Sequence, residues 1–419
     1  MTIASLIWGL LLSWPAIYDS GSGVPWGIVT DSEGNVIVMG EVYVERSTRK
    51  LDPCGLTTIK YDYNGNMIWK NTWHENTVYA GKVVVDKDDN VYVVGTHSGG
   101  AALVIKYSKD GKEEWWKVYS NHTGGGIWRN GLAIDQENNI IIAAVEGLSP
   151  WLIKCTPEGK VLWSQTLFFA GTATGVVVDS KNNIIASGSL GPWDGFWTAK
   201  FNSTGDIIWT RTYKASWSMT WDMAISKNDE VAVCGGINEG GFLVIKYAPN
   251  GNTKWSRSGY GLTGLGIAYD NNENVVAFTV EEKLIKFSHE GFYRWCKNFS
   301  KNGTWDWGDV TVDKWNNYYI TEDFNGDFYT IKADSEGNVC ANEDGEVFIK
   351  RQPLLAVFPN PFRGFTYVQT EITGEIKVYD TAGDLVEKTR GRELGFTLPA
   401  GVYFIKAVGY SATKIVKLR

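Results

Sequence analysis

The chain has 419 residues, 43% of them hydrophobic and 21% charged, which suits a folded globular protein and excludes a disordered one. Its formal net charge is −7, and no run of Lys or Arg forms the basic stripe that phosphates require, which excludes a nucleic-acid binder. Five cysteines, none at C-x-x-C spacing, make neither a zinc site nor a dense disulfide framework.

The first 17 residues are apolar and carry no Lys or Arg. A leader peptide opens on a basic segment, and a membrane span needs about 20 apolar residues. This segment has neither, and Pro15 interrupts it. It is read as a strand, on grounds that the far end of the repeats supplies.

One register then recurs seven times: an apolar run ending in Lys, a Gly five residues later, and usually a Trp four further on. The lysines are Lys60, Lys106, Lys154, Lys200, Lys246, Lys286 and Lys332, spaced by 40 to 48 residues. The glycines are Gly65, Gly111, Gly159, Gly205, Gly251, Gly291 and Gly337, and the tryptophans Trp69, Trp115, Trp163, Trp209, Trp255 and Trp295. A period in the forties is that of propeller blades. Each repeat divides into four short runs rich in Val, Ile, Tyr and Trp, as in "GKVVVD", "NVYVVG", "ALVIKY" and "EEWWKVY" over 81–119. Such runs predict antiparallel strands A to D. The A–B turns are five polar residues, opening on Asp31, Asp86, Asp135, Asp179, Asp270 and Asp313, with Ser226 in the fifth repeat. The C–D turns carry the register Gly, which takes a positive φ without steric cost.

A single twisted sheet of this kind cannot bury both faces, whereas blades stacked around an axis bury them against each other. The strand D tryptophans are predicted to wedge between blades, each burying roughly 150–250 Å². At ~25 cal/mol per Å² that is at most about 4–6 kcal/mol. The seventh repeat has Ala341 where Trp is due. The W-x-x-x-Y spacing of Trp115 and Tyr119 returns at Trp14 and Tyr18. Residues 8–18 are therefore expected to supply the outer strand of the last blade, beside residues 338–342, and to remove an exposed sheet edge.

The pattern "VVVDKDDNVYVVG…LVIKYSKDGKEEWWKVY" resembles the bacterial seven-bladed β-propeller repeat family over about residues 5–342. Composition shifts after Asn342. "FPNPF" at 358–362, "IKVYDTAG" at 376–383, "LPAGVYFIK" at 398–406 and the closing "ATKIVKLR" resemble the C-terminal sorting tail of type IX secretion, a small immunoglobulin-like β-sandwich. The expected fold is all-β: a propeller of seven four-stranded blades over 1–342, a linker at 343–354 and the sorting-type sandwich at 355–419. The resemblance implies an exported protein, extracellular or on the outer cell surface, with the type IX machinery as the partner of residues 355–419.

Chemistry is sparse. The histidines, His74, His97, His122 and His289, lack metal-ligand spacing, and three of them fall in loops of one face as scattered surface residues. "DKDDN" at 86–90 resembles the start of a calcium loop, but Val91 stands at its sixth position and the closing Glu is missing, so it reads as a hairpin turn. "STGDIIW" and "PEGKVLW" echo quinoprotein outer strands without their adjacent cysteines. No catalytic residue, metal or cofactor is therefore assigned. The residues singled out are tryptophans outside the register. Trp26, Trp128, Trp221 and Trp307 are placed just before strand A, near the inner mouth of the ring. Trp193 and Trp197 are placed in or near a B–C loop, and Trp217 and Trp305 in D–A loops. Exposed aromatics around a concave mouth stack on sugar faces or capture a peptide; otherwise they plug the funnel. The function expected is a binding or scaffold protein with a glycan or protein ligand. An exported lyase or hydrolase working in the mouth is the alternative, disfavoured by the scarcity of His.

Overall fold

In the computed structural model, the structure describes residues 14–19, 22–45, 51–74, 78–97, 100–120, 131–167, 169–191, 194–237, 241–260, 263–299 and 307–340 of the repeats. In the tail it describes 357–358, 366–368, 375–381, 385–389, 393–394, 397–407 and 413–418. Contacts divide the chain into two units, Met1–Gly345 and Glu346–Arg419. The linker expected at 343–354 lies outside the described residues.

Eight four-stranded sheets and one three-stranded sheet hold the described strands; seven of the four-stranded sheets lie in the first unit. Each is an antiparallel blade in the order A-B-C-D. The A strands are Gly23–Thr30, Tyr79–Val85, Gly131–Ile134, Gly175–Val178, Met219–Ile225, Gly264–Tyr269 and Gly308–Val312. Each packs against strand A of the next blade, and blade 7 returns to blade 1. Strand A is therefore innermost, and the ring is a closed β-propeller. B strands such as Ile140–Glu146 are buried on both faces, which is why they read as unbroken apolar runs.

In four blades the recurring Lys and the recurring Asp turn out to be one device, whereas Lys106 pairs with Glu114 and Lys332 donates to Tyr63 O. Asp31 Oδ1 accepts the backbone N–H of Glu33 at 3.0 Å and of Asn35 at 2.8 Å, while Oδ2 accepts the Asn35 side chain at 2.8 Å and the Lys60 ammonium at 2.8 Å. Lys154–Asp135, Lys200–Asp179 and Lys286–Asp270 repeat the pair at 2.9, 2.7 and 3.0 Å. Burial opposes ionisation of these four aspartates, but the Lys and Asn bonds win and hold the carboxyls below their usual range. Where Ser226 replaces Asp, Glu230 takes the lysine, Lys246, at 2.7 Å. In "DKDDN" the Asp86 carboxylate is bonded by Asp88 N–H, Asn90 and the Tyr92 hydroxyl, as a turn requires.

The register Trp and Gly form the second device, this one between blades. Trp209 Nε1 donates to Pro249 O at 3.1 Å in the next blade, and a Cβ on Gly251 would lie 2.7 Å from its ring. Gly251 also has φ +82°, so the position excludes other residues twice over. Trp69, Trp163 and Trp255 donate likewise to Lys109, Ser203 and His289 carbonyls. Trp14 donates to Tyr63 O at 2.8 Å, two residues before Gly65, so the ring closes with the bond used between other blades. The closing strand Ala16–Tyr18 pairs with strand C of blade 7, Asp327–Ala333, through Ala16 and Thr330, Ile17 and Tyr329, and Tyr18 and Phe328. It does not lie beside residues 338–342, as the sequence suggested. Val339 bridges Ala333 on the same edge, so the outer strand is one line assembled from both ends of the repeat region. Strand C has one free edge, and both segments must take it in series. Residues 8–13 lie outside the described set.

The second unit holds a three-stranded sheet and a four-stranded one. Ile376, Val378, Tyr403, Ile405 and Ile415 of the larger sheet pack with Leu394 of the smaller, which makes a β-sandwich. Among the described residues no helix is long and apolar enough to cross a membrane.

Candidate functional site: the mouth of the central channel

The two ends of the ring are built differently. At one end the A–B turns bond to their neighbours around the whole circle: Ser32 to Asp89, Asn138 to Asp88, Gln136 to Ser180, Ser180 to Asp229, Lys227 to Asn271, Asn271 to Asn316 and Lys314 to Ser32. The fourth residue of each turn has positive φ, from 61° to 87°, and is Gly, Asp or Asn except for Glu273. These side chains are committed to the turns.

At the other end three of the singled-out tryptophans meet. Trp26 stacks on Trp307 with ring centroids 5.2 Å apart, and Trp221 meets Trp307 edge-on at 5.6 Å. They come from blades 1, 5 and 7, so the cluster reaches across the ring. Trp26 and Trp221 do not precede strand A; they lie within Gly23–Thr30 and Met219–Ile225. Each is the extra residue of a β-bulge, between Pro25 and Gly27 and between Thr220 and Asp222. A bulge breaks the alternation of the strand and re-aims one side chain, here toward the mouth. Trp217 stands apart, 68% exposed, with its backbone at φ +52°. A bulky residue in the left-handed region costs conformational energy and marks a position held for some reason other than the turn itself. Trp197 is a core residue rather than a loop one: it lies in strand C, is buried, and donates to Thr172 O at 2.8 Å. Trp128, Trp193 and Trp305 lie outside the described residues.

Next to the cluster is a charged layer that sequence reasoning missed. Four residues before the A–B turns the blades carry Gly27, Lys82, Gly131, Gly175, Asp222, Gly266 and Asp309 in order. A Cβ on Gly131 would lie 2.5 Å from Val176 N, and one on Gly266 2.4 Å from Asp309 Oδ1. The glycines thus let the inner strands close up and leave three side chains in the lumen. Lys82 Nζ bonds Asp222 Oδ1 and Asp309 Oδ2, both at 2.9 Å, and so bridges blades 2, 5 and 7. Asp222 Oδ2 also accepts Ile267 N–H at 3.1 Å, and Asp309 Oδ1 accepts Val310 N–H at 2.8 Å. Burial raises the Asp309 pKa to about 6, only partly offset by Lys82 and reinforced by Asp222. Burial also works against the Lys82 ammonium, but the two carboxylates overcome it and hold its pKa above the usual value. Lys82 lies deep in the ring yet keeps 25% of its side chain accessible, as a group facing a channel does. The signal was present in the sequence as one register column holding four glycines, one Lys and two Asp.

Elsewhere, Glu230, Glu273 and His289 bring ligand atoms within 4.8 Å of one another. Lys246 at 2.7 Å and Lys254 already neutralise Glu230, so a divalent cation would have to displace two ammonium groups. His289 belongs to a C–D turn, His97 packs edge-on to Trp73, His74 is exposed, and His122 lies outside the described residues.

Comparison with known proteins agrees with this architecture. Residues 356–418 match the secretion system C-terminal sorting domain family. Virginiamycin B lyase from Staphylococcus aureus, solved with quinupristin, is 10% identical, with a TM-score of 0.57 over 75% of this chain and 97% of that one. The WD40 β-propeller domain of Doa1 is 11% identical, with a TM-score of 0.54 over 75% and 94%. At such identities the likeness establishes the fold alone. An uncharacterized WD repeat-containing protein of Acanthamoeba polyphaga mimivirus is 27% identical over 193 residues, 39% of this chain and 12% of the viral protein, so the match spans about an eighth of that relative. The chain is a β-propeller joined to a sorting tail of the kind exported proteins carry.

Proposed function

We propose that the protein works outside the cell or on its outer surface, and that its propeller binds a glycan at the mouth lined by Trp26, Trp221 and Trp307. The observation that carries this reading is the convergence of three partly exposed indoles, from three blades, on one end of the channel. Indole faces suit the apolar faces of sugar rings. Trp217 would extend the surface at the rim. A protein ligand is the second binding mode for such a surface. A lyase or hydrolase reading has less support, because Lys82, Asp222 and Asp309 are bonded to one another. Residues 355–419 would serve as the signal read by the type IX machinery.

A glycan array tests the binding role, with wild type set against the Trp221→Ala, Trp307→Ala double variant. Retention by wild type and loss in the variant is the expected result. No retained glycan ends the sugar reading, and turnover of a bound substrate would replace it with the enzymatic one. Truncation after residue 345, in a host with type IX secretion, should leave the protein in the periplasm; surface delivery of that form would remove the sorting role.

A further inference from the structure

The charged layer stands directly along the inner strands from the three tryptophans. Asp222 follows Trp221, Asp309 stands two residues after Trp307, and Gly27, which follows Trp26, packs against the Lys82 backbone. The layer carries one ammonium and two carboxylates, a net charge of −1 when all are ionised. Its members are unequally accessible: Lys82 at 25% of its side chain, against 9% for Asp222 and 4% for Asp309. The Lys82 side chain is therefore the member of the set with the most surface toward the lumen. An ammonium has three N–H donors, and two are spent on the carboxylates. The third can serve a ligand oxygen, and each carboxylate oxygen keeps lone-pair capacity for a ligand hydroxyl.

A charged ligand gives up its hydration to enter the lumen, and the Lys82–Asp222–Asp309 set, already paired within itself, offers neither sign a free counter-charge in return. A neutral hydroxyl gives up less. We propose that Lys82, Asp222 and Asp309 form the polar floor of the aromatic mouth and select neutral sugars with adjacent hydroxyl groups over uronic, sulfated or amino sugars. One ring face lies on the indoles while its hydroxyl edge accepts from Lys82 and donates to a carboxylate. This selection rests on the glycan-binding reading of the mouth.

The test is calorimetric titration of the full chain at 150 mM NaCl with cellohexaose, mannohexaose, any neutral glycan retained on the array, a galacturonic acid hexamer, a heparin hexasaccharide and a chitosan hexamer. A neutral glycan should bind at least tenfold more tightly than every charged one. Lys82→Met should weaken that neutral ligand at least tenfold. Asp309→Asn, which is isosteric and removes the excess negative charge, should improve binding of the galacturonic acid hexamer severalfold. If Lys82→Met does not fold, Asp309→Asn decides alone. Equal or tighter binding of a charged glycan overturns the proposal. So does unchanged affinity in Lys82→Met and Asp309→Asn while the Trp221→Ala, Trp307→Ala variant loses binding; that outcome spares the indole platform. Failure of every glycan ends the platform reading and the floor with it.

Discussion

The turn end of the propeller and its mouth are made from the same seven strands, yet they obey opposite rules. At the turn end the side chains recur: Asp holds Lys in four blades, Trp rests on the Gly of the next blade, and the turns bond around the circle. At the mouth the repeats diverge: strand A is bulged in blades 1, 2, 5 and 6, three indoles cluster, and one register column holds four glycines and a Lys–Asp–Asp bridge. Repetition identifies positions that every blade needs in order to stack. Divergence identifies positions that stacking leaves open, where a scaffold can carry a site.

That contrast predicts that damage at the turn end is read as stability and damage at the mouth as binding. Trp209→Ala should cost about 3–5 kcal/mol in denaturant titration, because it empties a wedge between two blades. A change near zero would break the contrast at its strongest point. Lys200→Met, which strands the Asp179 carboxylate, should cost roughly 3 kcal/mol by the same measurement; partial restoration by Asp179→Asn, which removes the charge and keeps an acceptor for the Lys181 and Asn183 N–H groups, would identify the uncompensated charge as the cause. Gly251→Ala should cost about 1–3 kcal/mol, from the positive φ and the crowding against Trp209. At the other extreme, Trp217→Gly should leave stability unchanged or raise it by up to about 1 kcal/mol, since it relieves an unfavourable φ and removes an exposed side chain. A large loss of stability in that variant would move Trp217 from the mouth's rim into the structural class.

The pH response should separate the two ends as well. The turn aspartates Asp31, Asp135, Asp179 and Asp270 have carboxyls depressed in the fold, so their stabilisation is present above about pH 4, the unfolded value, and is lost as pH falls below it. Asp309 runs the other way. Its folded pKa of about 6 exceeds the unfolded value, so the folded chain binds this proton more tightly and stability falls as pH rises from about 4 to 6. Melting across this range in wild type and in Asp309→Asn should show the slope lost in the variant, and the steep acid loss below pH 4 kept in both. A slope of opposite sign in wild type would show that Asp309 stays ionised.

The sequence by itself determined the repeat number, the strand runs, the turn residues and the closure by Trp14, because each is a local or periodic requirement. A blade needs its four strands, its polar A–B turn and its Gly whatever the rest of the ring does, and seven copies make the requirement visible in one chain. The same periodic reading misplaced Trp26, Trp221 and Trp197. A bulge adds one residue without changing the composition of a strand, and whether a Trp points into the core or toward the mouth depends on that shift. Only the closed ring decided the rest. Lys82, Asp222 and Asp309 are separated by 140 and 227 residues along the chain and belong to blades 2, 5 and 7. Nothing local relates an isolated Lys to an isolated Asp five blades away. They become neighbours because four glycines draw the inner strands together until the lumen is narrow enough for one side chain to span it.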